Sequence, residues 1–196
     1  DASDYVLYAV DVSAAALERA SDELKHFNVH YMASMSDLPS VIDIAIVATQ
    51  ANIRFQVTYD LLLRKTVKAL VFEKVLFQKL DDYDFVSKIL FEKKIPAFVN
   101  CPRRLWPGYQ ELACFVKKTE IEHISICGHG WDLGCNAIHY IDLISFLSGS
   151  VEYQVDKSNL QNAVEESKRS GSYTVMGDLW GTFEAGCSFF LSATGR

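Results

Sequence analysis

Residues able to do chemistry fall in a few short stretches of this 196-residue chain. The run ALVFEKVLFQ, residues 69 to 78, places Glu73 and Lys74 directly after four apolar residues that read as a buried strand. An ammonium at the rim of a core can stabilise negative charge developing on oxygen and can lower the pKa of a group that takes a proton. The plain alternative is an ion pair closing a strand. A second stretch, GCNAIHYID, residues 134 to 142, carries Cys135, Asn136, His139 and Asp142. Spacings of three and four bring these side chains near one face of a helix, and a histidine there can serve as acid or base at neutral pH. A buried histidine satisfied by a neighbour is the alternative. Cys127 and His129 lie just upstream and, with Cys135 and His139, make four residues of zinc-ligand type. Their spacing is not a familiar zinc pattern, and a strand, a loop and a helix would have to converge, so no metal is expected.

The surrounding sequence supplies the elements that must hold these groups. Residues 5–10 are apolar throughout, as in strands covered on both faces. Ser13 can cap a helix from Ala14 to about Phe27. Strands are expected at 42–48, 68–72 and from 97 to 99. A helix is expected over 52–65 with Ile53, Val57 and Leu61 on its apolar face, and another, capped by Asp81, runs through Lys94. Strand and helix alternating at this rhythm predict a parallel sheet covered on both faces. Beyond CPRRLWPGY the order changes. Helices near 110–117 and 136–147, the latter closed by Gly149, accompany strands near 122–126, 151–155, 179–184 and 187–192. The fold class expected is α/β, a partial Rossmann-type parallel sheet followed by an α+β domain with a largely antiparallel open sheet. The boundary is placed at Pro102, giving a dinucleotide-binding part over 1–102 and a substrate-binding part over 103–196. The segment EESKRSG, residues 165 to 171, reads as a solvated turn.

Open parallel sheets bind ligands at the carboxyl ends of their strands. Asp11 ends the first strand, Thr49, Gln50 and Ala51 follow the second, and Glu73 and Lys74 the third. A carboxylate such as Asp11 can accept both hydroxyl protons of a ribose diol and would repel a 2′-phosphate, which favours NAD over NADP. A helix-entry role without a ligand is the alternative for Asp11.

Composition excludes several classes. With 19 basic and 25 acidic residues the net charge is −6, and no basic cluster exceeds pairs such as Lys117-Lys118, so nucleic acid is not an expected partner. The longest apolar run is too short to span a bilayer. Five cysteines, none in a C-x-x-C pair, read as reduced buried thiols and favour a cytoplasmic setting.

Four motifs in order, LYAVDVS, IAIVATQANIR, VFEKVL and GCNAIHYIDLISFLSG, resemble the glucose-fructose oxidoreductase / inositol dehydrogenase / MocA family across nearly the whole chain. The resemblance implies an N-terminal Rossmann domain, a C-terminal domain on an open sheet, a nicotinamide cofactor and a sugar or polyol substrate. It implies that Lys74 lies between nicotinamide and substrate, in a motif that reads Glu-Lys-Pro in the family; here Val75 replaces the proline. It implies that His139 faces the substrate, with Cys135 standing where the family has an aspartate and Asn136 beside it. Asn100 on the cofactor side and Arg103 on the substrate side occupy positions the family uses. Arg103 suits a substrate carboxylate or phosphate, or a structural ion pair. A homo-oligomer through the C-terminal sheet is a further expectation. The family's G-x-G-x-x-G turn is not in this sequence, and the expectation is that the strand and glycine turn preceding Asp1 are missing. The reading is a nicotinamide-dependent sugar or polyol oxidoreductase. The alternative is a non-catalytic member that binds a sugar or nucleotide, favoured by the thiol at Cys135.

Overall fold

Runs of β-branched and apolar residues set the strands, and a small set of caps sets the helix ends. The computed structural model describes residues 5–116, 119–161, 165–166 and 173–194. The chain divides into two compact units, Asp1–Phe98 and Val99–Arg196.

The first unit opens with β1 (Leu7–Val10), α1 (Ala14–Glu23) and β2 (Val29–Met32). Ser13 caps α1 as expected, its Oγ accepting from the Ala16 N–H at 3.3 Å. The helix ends earlier than Phe27, and β2 was not foreseen in the sequence. β1 and β2 pair in parallel as a two-stranded sheet. Then come β3 (Val41–Val47), α2 (Ala51–Arg64), β4 (Thr66–Phe72), α3 (Leu80–Lys93) and β5 (Ala97–Val99). These strands form a second sheet in the order β3-β4-β5, with β3 and β4 parallel.

The alternating parallel arrangement matches the sequence reading; the covering of both faces does not. Among the described residues β1 pairs only with β2, and its Leu7, Tyr8 and Val10 are exposed. Ile44 and Ile46 of β3 are 63% and 70% exposed. The covered part of the sheet centres on β4, where Val67, Leu70 and Phe72 join Val47, Leu61, Leu62, Phe77 and Val86 in one core. Burial of such side chains is worth roughly 1.5–3 kcal/mol each. Asp81 sits in the first turn of α3 and does not cap it; Lys79 holds the cap position without a side-chain hydrogen bond. A carboxylate inside the first turn still opposes the helix dipole favourably.

The second unit holds α4 (Pro107–Val116), β6 (His123–His129), α5 (Leu133–Ser148), β7 (Tyr153–Leu160), β8 (Glu165–Glu166), β9 (Tyr173–Thr174), β10 (Gly177–Phe183) and β11 (Ser188–Thr194). Residues 167–171 of the expected solvated turn lie outside the described residues. The main sheet runs β6-β11-β10-β7. Two of its three pairings are antiparallel, and β6 joins β11 in parallel, so the sheet is mixed and largely antiparallel. α5 packs on one face through Leu133, Ile141 and Ile144 against Phe183, Phe189 and Leu191. Asp132 caps its start by accepting from the Cys135 N–H at 2.8 Å, and Gly149 closes it with φ 73°, a conformation only glycine adopts cheaply.

Candidate active site

In the first unit the site is built where β3 and β4 end side by side. Val47 pairs with Phe72 in parallel register, so the segments that follow, Thr49-Gln50-Ala51 and Glu73-Lys74, leave the sheet together. The Glu73 N–H still donates to the Val47 carbonyl at 3.1 Å. The side chain that ties the two segments is one the sequence reading passed over. Arg54, only 3% exposed, lies in the first turns of α2. Its Nη1 donates to the carbonyls of Glu73 at 2.8 Å and Leu76 at 2.9 Å, and also to that of Val75. Its Nη2 donates to the Thr49 carbonyl. Burial pushes the guanidinium pKa down, opposed by the nearby charge of Glu73, and four carbonyl dipoles supply the solvation that water would otherwise give.

Tyr83 of α3 secures the far end of the same segment. Its hydroxyl donates to the Phe77 carbonyl at 3.2 Å and accepts from the Phe77 N–H at 3.3 Å. The Phe77 ring is buried edge-on against Phe72, Phe55 and Tyr83. Lys74 therefore stands in a segment fixed at both ends. The Lys74–Val75 peptide bond is cis, although valine replaces the proline of the family motif.

Asp11 follows β1 and is exposed; its Oδ1 accepts from the Ser13 N–H at 2.8 Å, which fixes the carboxylate at the start of α1. The Thr49 hydroxyl is buried with no hydrogen-bond partner among the described residues. Gln50 holds the cap position of α2 without a side-chain cap bond, and Ala51 is its first residue. Asn100 follows β5 directly.

In the second unit Cys135, Asn136 and His139 lie on α5 within its first two turns. Cys135 is exposed, and Asn136 and His139 are half-buried. Arg103 lies over the Tyr140 ring at 4.0 Å and beside Trp106 at 5.8 Å. Stacking uses the face of the guanidinium and does not consume its edge N–H donors. Asp142, which shares the helix with His139, is taken by Arg104. Nε donates to Oδ2 at 2.8 Å, and Nη2 donates to Oδ1 and to the Asp142 carbonyl at 3.3 Å. That hydrogen bonding raises the Arg104 pKa and makes Asp142 part of the scaffold.

The expectation of buried thiols is corrected. Cys101 and Cys187 are buried, but Cys114, Cys127 and Cys135 are exposed. The strand alternation of β6 turns Cys127 outward with His123, Ser125 and His129. Among the described residues no three His, Cys, Asp or Glu side chains gather as a metal set. No helix among them is long and apolar enough to cross a membrane.

Neither protein-family models nor curated sequences match this chain. Solved structures do. A scyllo-inositol dehydrogenase from Lactobacillus casei, in its apo form, superposes with TM-score 0.71 at 15% identity, over 97% of this chain and 60% of that one. The chain has the fold of the Gfo/Idh/MocA-type dehydrogenases. An oxidoreductase from Erwinia carotovora atroseptica gives TM-score 0.79 at 14% identity, over 96% of this chain and 62% of that one. The WlbA dehydrogenase from Chromobacterium violaceum, solved with NADH and UDP-GlcNAcA, gives 0.70 at 18% identity, over 96% of this chain and 59% of that one. The chain thus spans about three fifths of the length of these relatives in fold.

Proposed function

We propose that the protein is an NAD-dependent oxidoreductase acting on a hydroxyl or ketone of a sugar or polyol. The observation that carries the reading is the joined ending of β3 and β4, where one buried arginine holds the Thr49 turn and the Lys74 segment together. This is the end of a parallel sheet at which a dinucleotide is bound.

The residues present fit part of the cofactor. Asp11 offers a fixed carboxylate to a ribose diol, and the Thr49 hydroxyl, buried without a partner among the described residues, offers a hydrogen-bonding group. Gln50, Ala51, Glu73 and Asn100 complete the cofactor side. Residues 1–98 contain no glycine, so they do not supply a glycine-rich cradle for the pyrophosphate. A bound NAD would supply the hydride acceptor for a carbinol carbon. In the first unit the Lys74 ammonium is suited to stabilise negative charge developing on an oxygen; in the second, His139 is suited to serve as acid or base. Cys135 and Asn136 contact the substrate beside His139. The edge donors of Arg103 pair with a substrate carboxylate or phosphate, and the Tyr140 ring against its face holds it in place. The thiol of Cys135 does not replace a carboxylate as a proton relay, so His139 works alone. A homo-oligomer through the sheet of the second unit and a cytoplasmic setting belong to the same reading.

The test is turnover of NAD with a panel of sugars, polyols and sugar acids, compared between wild type and His139→Ala. Wild-type turnover that falls by at least a hundredfold in His139→Ala supports the assignment. Binding of a sugar or sugar nucleotide without any cofactor turnover would favour the non-catalytic alternative, to which the exposed thiol at Cys135 points.

A further inference from the structure

A buried arginine is costly unless its donors are met; the two Nη groups of Arg54 donate to main-chain carbonyls, while its Nε is buried with no partner among the described residues. The distribution of the carbonyls is informative. Two of the carbonyls belong to Glu73 and Val75, the residues on either side of Lys74. A third belongs to Leu76 on the same segment, and the fourth to Thr49 at the end of the neighbouring strand. The guanidinium is planar and presents its donors in a fixed fork. It therefore sets the direction in which the backbone at Lys74 projects its side chain, relative to the turn after β3. Thr58, fully buried one turn along α2, donates to the Arg54 carbonyl at 2.8 Å and fixes the helix beneath it.

We propose that Arg54 is the positioning residue for Lys74, holding the ammonium in place against the Thr49 turn through the carbonyls of Glu73 and Val75. The proposal rests on the oxidoreductase reading for its consequence in catalysis, but the coupling of Arg54 to Lys74 stands apart from it. A lysine at position 54 keeps the charge but puts one nitrogen in place of two, so it loses the fork in which Nη1 serves the Lys74 segment and Nη2 serves Thr49. Arg54→Lys should therefore release the Lys74 segment while leaving the core of Val67, Leu70 and Phe72 in place.

Three readouts test this in the intact protein. The first is acylation of lysine ε-amines by acetic anhydride, followed residue by residue by mass spectrometry. Lys74 should change its rate at least fivefold in Arg54→Lys, with the other lysines within twofold. The second is amide hydrogen exchange. The Glu73 and Phe77 amides should exchange at least tenfold faster, with the amides inside β4 and α3 unchanged. The third is kinetic: kcat should fall at least thirtyfold with KM for NAD and substrate within threefold, and Arg54→Gln should fall further. An unchanged Lys74 acylation rate would overturn the proposal, as would loosening spread evenly over α2, β3 and β4, the mark of a merely structural role. If the variants do not fold, NMR of the wild type decides: slowly exchanging Arg54 guanidinium protons support the clamp, and a freely rotating guanidinium refutes it. A wild type without any turnover counts against the oxidoreductase reading, whereas the acylation result then still decides whether Arg54 governs Lys74.

Discussion

The ion pair between Arg104 and Asp142 offers a quantitative check on the scaffold of the second unit. Asp142 lies one turn beyond the residues of α5 assigned to substrate, and Arg104 reaches it from the short helical turn at 102–105 with both Nε and Nη2. The perturbation is a double-mutant cycle of Arg104→Met and Asp142→Asn. A charge-assisted hydrogen bond is worth about 1.5–3 kcal/mol when shielded. The Arg104 side chain is 39% exposed and that of Asp142 20%, so solvent screens part of that value. The expected coupling is about 1–2 kcal/mol. Urea unfolding followed by tryptophan fluorescence measures it. With a slope of roughly 2 kcal/mol per molar urea, each single variant should unfold about 0.5–1 M earlier, and the double variant little earlier than either. The coupling should shrink in 1 M salt without vanishing. A coupling below about 0.3 kcal/mol would show that the pair is an ordinary surface contact and that Asp142 is not committed to the scaffold.

Three other outcomes follow from the same physical reading. Gly181→Ala should destabilise the second unit by about 1–3 kcal/mol in thermal or urea unfolding, because a Cβ there would stand 2.3 Å from Phe189 Cζ and 2.4 Å from the Gln154 carbonyl; an unchanged midpoint would contradict the packing of β10 on β7 and β11. Burial raises the Cys187 pKa. The unfolded chain then loses this proton first as pH rises past roughly 8.5, so folding stability should decline with increasing pH there, and Cys187→Ala should flatten that decline. Asp11→Ala should weaken NAD binding by about 1–3 kcal/mol and narrow its preference over NADP; equal affinities before and after, read by titration calorimetry, would remove Asp11 from the site.

What could be read from the sequence followed from local physics. The apolar runs of β3 and β4, the Ser13 cap and the closing Gly149 each act through neighbours in the chain, so their residues announce them. β2 escaped because VHYM is short and places a histidine among apolar residues, without alternation or a flanking turn signal. The apolar face expected of α2 holds for Leu61, which is in the core, and for Val57, which packs against it, but not for Ile53. Ile53 is 48% exposed, and beside Leu61 the helix buries Arg54, Thr58 and Leu62, none of which the expected face includes. An arginine on a helix reads as a solvated charge, and three of the four carbonyls that receive it lie 19 to 22 residues along the chain. The spacing of Arg54, Thr58 and Leu62 at every fourth residue was the available signal. The covering of β1 and the outward turn of Cys127 and Cys135 depend on which elements meet in space, and composition does not record that.

The reaction proposed for this protein passes hydride between a sugar or polyol and NAD beside Lys74. Isotope transfer tests it most directly: the protein is incubated with NAD and substrates deuterated at the carbinol carbon, and the recovered cofactor is weighed by mass spectrometry. The account expects one deuterium in the reduced nicotinamide for at least one sugar or polyol, with a rate at least a hundredfold lower in Lys74→Met. Cofactor and sugar that bind without any label moving, or label transfer that is undiminished in Lys74→Met, would contradict it.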